Sequence, residues 1–328
     1  MEAAPNTIVI QQPSKWWPRV LLAALVISLF FNLRLYFANR SYYSGQTHST
    51  ERFHSGDISA DDKIAVLKMS GVIIPPFTER LLRAIDAAAE DDAVKGVLLE
   101  VDSPGGLVAD SHQIYNRLQK LAEKKPIYVA MKRMAASGGY YISMGAGPES
   151  RIFAEPTTWT GSIGVIIPRY NAAGLASKFG VKSDSLMTGE FKDSLNPFRD
   201  LSKREHEVWN KILDDSFGRF VSVIAKNRPL LDDTAVRALA TGQIYTARQA
   251  LENGLVDEIG FADSALEALQ EKLGLSDVRI ITYYNKPGLL DLALGAAEAK
   301  PQPTTLQTLL DASVPRAMYY CSWAPVVP

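Results

Sequence analysis

Ser137 stands between small residues at the point where an apolar segment ends. Residues 134–139 read Met-Ala-Ala-Ser-Gly-Gly and follow the apolar run at 126–131. A serine on a tight turn from strand to helix presents its hydroxyl to a substrate, and the free amides of the following helix favour an oxyanion nearby. The pattern therefore predicts a nucleophilic serine. Taken alone, it is equally typical of a structural turn into a helix.

A second glycine turn precedes it. Residues 102–106 read Asp-Ser-Pro-Gly-Gly, closing one apolar segment and opening a helical one. Backbone amides exposed by glycines can form an oxyanion hole without side chains, and the amides of Gly106 and Gly138 are the candidate pair. The alternative is a helix-capping turn with Asp102 or Ser103 as its N-cap.

A serine hydroxyl is a weak nucleophile and needs an adjacent base. The chain has no histidine between Ser137 and His206. His112 falls within a predicted helix, and His206 falls within a charged surface run. Neither lies in a loop suited to a site, although the sequence alone excludes neither.

Lysine can replace histidine as the base if burial keeps its amine uncharged. Lys178, Lys182 and Lys192 are the available candidates. Lys192 lies in an irregular segment with Phe191 and Phe198 nearby to exclude water, whereas the other two fall on a predicted surface helix and turn. Spacing alone favours Lys192 only modestly.

The composition excludes several other classes of site. A net charge of −1 gives no indication of a nucleic-acid partner. The single cysteine, Cys321, rules out an intrachain disulfide. The four histidines are scattered and no phosphate-binding loop is present, so we expect no metal and no cofactor.

From residue 62 onward, apolar strands alternate with amphipathic helices. This order predicts an α/β fold in which a largely parallel sheet is flanked by helices, with sites at the carboxyl ends of its strands. The expected catalytic domain is 62–287, followed by a loosely ordered Ala/Pro-rich tail at 288–328. The predicted strands are 64–69, 96–101, 126–131 and 279–284, and the predicted helices are 79–89, 107–122, 201–225, 235–240, 246–253 and 262–273.

The N-terminal region predicts a membrane anchor. After a short tail at 1–15, residues 16–38 are dominated by apolar side chains. As a helix they would reach about 34 Å, enough to cross a hydrocarbon layer of roughly 30 Å. A cleaved signal peptide is the alternative, but residues 32–37 offer no small-residue cleavage site. We therefore expect a single N-terminal transmembrane helix followed by a flexible stalk at 39–61. The flanking charges do not decide its orientation.

Four motifs in order resemble the signal peptide peptidase A family, also called protease IV. These are membrane-anchored Ser/Lys peptidases with the Clp–crotonase type of fold. The similarity extends from about residue 64 to 284 in a single copy, as in the short, one-domain members. The motifs are residues 101–106, 134–141, 160–165 and 189–193, the last with Pro197 and Arg199.

The resemblance implies a role for each candidate residue. Ser137 matches the nucleophile and Lys192 the general base. Gly106 and Gly138 match the residues whose amides bind the oxyanion. Ser162 matches the hydroxyl that orients the lysine amine.

The resemblance also implies a biological setting. Family members cleave remnant signal peptides in the membrane, so we expect a single-pass protein of the cytoplasmic membrane with its catalytic domain on the extracytoplasmic side. Short members form homo-oligomeric rings, here expected to be an octamer, in which neighbouring subunits complete the sites. No metal, cofactor or nucleic acid is implied. The alternatives are a crotonase-like acyl-CoA enzyme and a non-catalytic membrane scaffold.

Overall fold

The computed structural model describes residues 16–44, 50–284 and 318–320, which belong to two units. The described part of the first unit is a single helix, α1 (Trp16–Ser44), which extends beyond the predicted end at residue 38. No helix in the described ranges combines the length and the apolar character that crossing a membrane requires. The transmembrane helix expected at 16–38 is therefore not confirmed. The tail at 1–15 lies outside the described residues.

The second unit contains all the other elements. In chain order they are β1 (Thr50–Gly56), β2 (Lys63–Ser70), α2 (Phe77–Glu90), β3 (Val94–Ser103), β4 (Gly105–Leu107), α3 (Val108–Ala122), β5 (Ile127–Ala136), α4 (Gly138–Ser143), a 3₁₀ turn (Met144–Ala146), β6 (Ile152–Ala154), β7 (Trp159–Gly161), α5 (Ala173–Lys178), α6 (Lys203–Asn227), α7 (Asp233–Leu239), β8 (Ile244–Thr246), α8 (Ala247–Glu252), β9 (Glu258–Ile259), α9 (Ala262–Leu273), β10 (Arg279–Tyr284) and β11 (Met318–Tyr320).

The main sheet is largely parallel, which confirms the α/β prediction. Its strand order is β1-β10-β2-β3-β5-β6-β9, and β7 pairs with both β5 and β8. Among the described strands of this sheet, only the β1–β10 and β7–β8 pairs are antiparallel. Separately, β11 pairs antiparallel with β4. The strands β3, β5 and β7 thus end side by side where the predicted site residues begin.

Side-chain alternation along the strands divides the core between the two faces of the sheet. On one face, Leu67 of β2 packs in a cluster that also contains Leu81 of α2 and Leu118 of α3. On the other face, Val66 packs in a cluster that contains Leu269 of α9. Because successive strand residues point to opposite faces, strands covered on both sides must be apolar throughout. This is why the central strands show near-continuous apolar runs, at 64–67, 97–99 and 127–131.

Two strands lie in segments for which the sequence predicts no regular structure. β1 lies within the expected stalk, and β11 lies within the expected C-terminal tail. β1 pairs with β10 at the edge of the sheet, where its side chains remain mostly exposed. An ion pair also holds it, because the amine of the buried Lys63 lies 2.9 Å from Glu51 and 2.8 Å from Asp91. A strand at the edge of the sheet that is held by backbone pairing and an ion pair does not need alternating apolar residues, so its sequence shows no strand pattern.

Candidate active site

Ser137 occupies a strained turn between β5 and α4. Its φ of 54° and ψ of −114° lie outside the region that L-residues usually adopt. The turn is held on both sides: Ser137 N donates to Gly161 O at 2.7 Å, and Tyr141 N donates to Ser137 O at 2.8 Å. The hydroxyl is buried, and Oγ has no hydrogen-bond partner in the described part of the chain. A buried hydroxyl with no partner at a strained turn is available to react with a bound group.

Ser162 occupies the matching position on the neighbouring strand. β5 and β7 run parallel with Ala136 opposite Gly161, so that each strand is followed directly by one of the two serines. Among the described residues, Ser137 and Ser162 are the only non-glycine residues with positive φ, at 54° and 49°. The strand register therefore places the backbone of Ser162 next to that of Ser137.

The glycine turn after β3 lies against the start of α4. A Cβ atom on Gly105 would stand 2.7 Å from Gly138 N, and one on Gly138 would stand 3.1 Å from Gly105 Cα. A Cβ atom on Gly106 would stand 2.2 Å from Ile73 O. Backbone atoms closer than 3.0 Å therefore leave no room for a side chain at Gly105 or Gly106, whereas the closest atom at Gly138 is the side-chain Oγ of Ser111, at 2.7 Å. Gly106 and Gly138, the candidate oxyanion residues, lie in two backbone segments that meet next to Ser137.

β11 fills a groove at this junction. It pairs with β4 on one side, with Tyr319 opposite Gly106. On its other side Met318 exchanges two backbone hydrogen bonds with Ile166, each 3.0 Å long. The carbonyl oxygen of Tyr319 lies 3.0 Å from the position that a Cβ atom on Gly138 would occupy. An extended segment is thus held by backbone hydrogen bonds on two sides, immediately beside the residue that follows Ser137.

An aromatic pocket receives the side chain of Tyr319. The ring stacks on Tyr141 with a centroid distance of 4.8 Å and lies 4.7 Å from the ring of Phe220. Its hydroxyl donates to Ser216 O at 2.9 Å. The side chain is fully buried, and this burial raises the pKa of Tyr319. The groove therefore binds both the backbone and one large side chain of an extended segment.

Lys192 lies in the irregular segment between α5 and α6. Its side chain is exposed, and its amine has no hydrogen-bond or ion-pair partner among the residues that the structure describes. It is not hydrogen-bonded to Ser137 or to Ser162. Within one chain, therefore, the structure does not bring the predicted base and nucleophile into contact, and the burial expected of Lys192 is not met.

The two histidines considered as alternative bases are engaged elsewhere or exposed. Nδ1 of His112 lies 2.8 Å from the hydroxyl of Tyr141, and its ring stacks on Tyr115 at 5.8 Å. Burial, with the positive charge of Arg219, lowers the pKa of His112. His206 is exposed in the first turns of α6. Neither is hydrogen-bonded to Ser137.

Sequence reasoning missed three participants in the groove. Tyr319 occupies the groove and Ile166 lines one side of it, yet neither residue belongs to a recognisable motif. Ser111 of α3 is the third: its buried hydroxyl lacks a partner in the described ranges and lies 2.7 Å from the Cβ position on Gly138. The apolar and aromatic residues at 318–320 were the one sequence feature that could have indicated the segment in the groove.

As for metals, no three described His, Cys, Asp or Glu side chains are grouped to hold an ion.

Comparison with known proteins shows that the sequence is similar to peptidases. Residues 119–276 match the model of peptidase family S49. The chain is 38% identical over 286 residues to an Enterococcus faecium protein named as a signal peptide peptidase SppA, covering 81% of each chain.

Two longer relatives match over one part of their length. Protease 4 of Haemophilus influenzae is 34% identical over 218 residues, which are 64% of this chain and 35% of that one. The chloroplastic serine protease SPPA of Arabidopsis thaliana is 30% identical over 245 residues, which are 71% of this chain and 35% of that one. The chain thus matches about a third of the length of these two proteins.

Proposed function

The chain belongs to the signal peptide peptidase A family of S49 peptidases. From this membership we propose that it is a membrane-anchored serine endopeptidase that cleaves remnant signal peptides and similar apolar peptides. Ser137 and Lys192 are its proposed catalytic residues. The observation that carries the proposal is the groove beside Ser137, where an extended segment of the chain is already paired with β4. Acyl-CoA chemistry and a purely structural role have no comparable support. The Clp–crotonase type of fold, implied by the family resemblance, forms part of the proposal.

The proposed reaction begins with attack of Ser137 Oγ on the scissile carbonyl carbon. The uncharged amine of Lys192 accepts the hydroxyl proton and later gives it to the leaving amine, so that the peptide C–N bond breaks and an acyl-enzyme forms. The amides of Gly106 and Gly138 hold the negative oxygen of the tetrahedral intermediate. Water, deprotonated by the same lysine, then releases the acyl group and restores Ser137.

The groove indicates how a substrate would bind. A peptide that replaces β11 would form hydrogen bonds with β4 and with Ile166, and such backbone pairing accepts many sequences. The pocket occupied by Tyr319 would take one large apolar or aromatic side chain. Backbone recognition with one apolar pocket suits apolar signal-peptide segments.

A second subunit would complete the site. Lys192 is exposed and without a partner in the described single chain, whereas a general base must come within hydrogen-bond reach of its proton. In the proposed homo-oligomeric ring, an octamer by family resemblance, Lys192 of one subunit reaches Ser137 of its neighbour and becomes buried there. Ser162, beside Ser137, would then orient the incoming amine.

The membrane anchor is proposed from the sequence. Residues 16–38 are predominantly apolar, and several of their large apolar side chains on α1, including Leu21, Leu25 and Phe30, are more than half exposed. The catalytic unit would then lie on the extracytoplasmic side of the cytoplasmic membrane. Membrane fractionation with carbonate extraction tests the anchor: release of the full chain into the soluble fraction would contradict it.

Alanine substitutions test the dyad. In the purified full chain, we expect Ser137→Ala and Lys192→Ala each to lower kcat for a signal-peptide substrate by about 1000-fold or more. The matched controls are Lys178→Ala and Lys182→Ala, which should cleave within about twofold of wild type. Labelling of Ser137 by a fluorophosphonate probe separates a peptidase from an acyl-CoA enzyme. Full activity of Lys192→Ala would eliminate the dyad.

Mixing the two inactive variants tests the proposed assembly. If one subunit supplies the serine and its neighbour the lysine, randomly co-assembled Ser137→Ala and Lys192→Ala chains should regain about a quarter of wild-type activity, because one site in four receives both intact groups. If both groups come from one chain, the mixture stays inactive. Co-expression with two different tags allows the mixed oligomers to be purified before assay.

A further inference from the structure

The residue next to Lys192 is fixed by an arginine that also contacts α6. Arg199 donates to Asp193 Oδ1 from Nη2 at 2.6 Å and from Nε at 3.2 Å. The same guanidinium donates to Glu205 from Nη1 at 3.0 Å and from Nη2 at 2.5 Å. One planar group therefore joins the lysine-bearing segment to the first turn of α6.

The α6 end of this bridge is itself fixed. The side chain of Glu205 is 2% exposed, and its carboxylate accepts a hydrogen bond from Ser202 N at 2.7 Å. Ser202 Oγ in turn accepts a hydrogen bond from Glu205 N at 3.2 Å, which completes a capping box. The Arg199 guanidinium lowers the pKa of Glu205 to about 2, so this carboxylate is charged throughout the neutral range. A buried carboxylate without its cation would be strongly destabilised.

A second contact fixes the next residue of the segment. Trp209 Nε1 of α6 donates to the buried Ser194 Oγ at 3.0 Å. Further along, α6 enters the core, where Phe220 lies 5.0 Å from Tyr141 of α4. Residues 193 and 194 are therefore attached to a helix that is anchored in the core, while the side chain of Lys192 projects from them into solvent.

We propose that Arg199 is a positioning residue for the general base, holding Asp193 on α6 so that the amine of Lys192 is presented in one place. This inference rests on the proposed function, in which Lys192 is the base. It holds whether the serine belongs to the same chain or to a neighbour, because the lysine is fixed relative to the rigid part of its own subunit. Arginine is needed because a lysine ammonium cannot join two carboxylates through a planar, bidentate fork.

Arg199→Lys tests the proposal because it keeps the charge and removes the fork. A misplacement of about 1 Å can cost about 100-fold in rate, so we expect kcat to fall between about 10-fold and 100-fold while KM changes less than about twofold. The matched control is Arg204→Lys. Arg204 pairs with Glu190 at 2.7 Å in the same region, but its side chain is 68% exposed, and an exposed pair contributes little. Wild-type kcat in Arg199→Lys, or an equal loss in Arg204→Lys, would overturn the proposal.

A double-mutant cycle separates positioning from general structural damage. Arg199→Lys should slow fluorophosphonate labelling of Ser137 in the wild-type background and should have no further effect in the Lys192→Ala background. A further decrease in that second background would show a structural role and contradict the inference. If Lys192→Ala itself labels at the wild-type rate, the proposed dyad fails instead, which is a distinguishable result. Should Arg199→Lys not fold, Asp193→Asn replaces it in the same cycle, with the same expected and contradicting outcomes.

Discussion

Truncation of Tyr319 should open the groove beside Ser137. In the structure its ring is fully buried between Tyr141 and Phe220, and its hydroxyl donates to Ser216 O at 2.9 Å. Replacing a buried aromatic side chain by alanine typically costs about 3–5 kcal/mol. Applied to the docking of β11, the lower value corresponds to about a 150-fold shift toward the undocked state. Tyr319→Ala should therefore raise the fraction of molecules with an empty groove by up to about 150-fold.

The consequence for catalysis is a change in KM. A substrate that needs the same groove binds only the molecules in which it is empty, and its apparent affinity is reduced by that fraction. We expect Tyr319→Ala to lower KM for an apolar peptide by up to about 100-fold with kcat nearly unchanged. Tyr319→Phe, which keeps the ring and loses about 1 kcal/mol of hydrogen bond, should lower KM by only about fivefold. Tyr170→Ala is the matched control, because Tyr170 is 84% exposed.

Steady-state cleavage and hydrogen exchange together provide the assay. Exchange at residues 105–107 and 318–320 reports whether β11 has left β4, and the cleavage rates report KM. The reasoning is refuted if exchange shows β11 released in Tyr319→Ala while KM stays at the wild-type value. In that case substrates would not use the groove on β4.

Two further perturbations have defined outcomes. Gly106→Ala would place a Cβ atom 2.2 Å from Ile73 O, so β4 must shift, and we expect lower thermal stability together with loss of fluorophosphonate labelling of Ser137. Lowering the pH should weaken the contact between Arg199 and Glu205 at the start of α6. Arg199 lowers the pKa of Glu205 from 4.5 to about 2. The stabilisation of the fold by ionised Glu205 is therefore complete above pH 4.5 and is lost as the pH falls toward 2. Thermal unfolding of wild type and Glu205→Gln from pH 7 to 2 checks this, since their difference should shrink only below pH 4.5; a constant difference contradicts it.

The sheet and the position of the serine were predictable because each depends on local sequence. β3 and β5 each contain an apolar run, at 97–99 and 127–131, as strands covered on both faces require. α9 begins and ends at its predicted limits, Ala262 and Leu273, and Gly274 follows it with a left-handed φ of 66°. The serine motif falls on the strand-to-helix turn for which its small residues are suited.

The occupied groove was not predictable because it depends on pairing between distant segments. β11 has three residues, too few to show a period, and its partner β4 lies about two hundred positions earlier in the chain. The surroundings of Lys192 were missed for a related reason. The aromatic residues near Lys192, Phe191 and Phe198, suggested that its side chain is buried. Burial depends, however, on whether another protein surface covers this segment, and in a single chain Lys192 is exposed.

The backbone conformation of the two serines is the feature on which the proposed chemistry depends most, and it arises from strand pairing rather than from either motif. Serine carries no intrinsic preference for positive φ, so a conformation near 50° persists only where the surroundings hold it. Here β5 and β7 end in register, and Ser137 N donates to the carbonyl of Gly161, the residue before Ser162. The hydrogen bond that holds one serine in its turn thus also fixes the residue that precedes the other. An amine that accepts the proton of Ser137 would therefore find Ser162 at a fixed position relative to Ser137. The proposed chemistry requires such a fixed arrangement of the two hydroxyls, and two independent loops would not provide it.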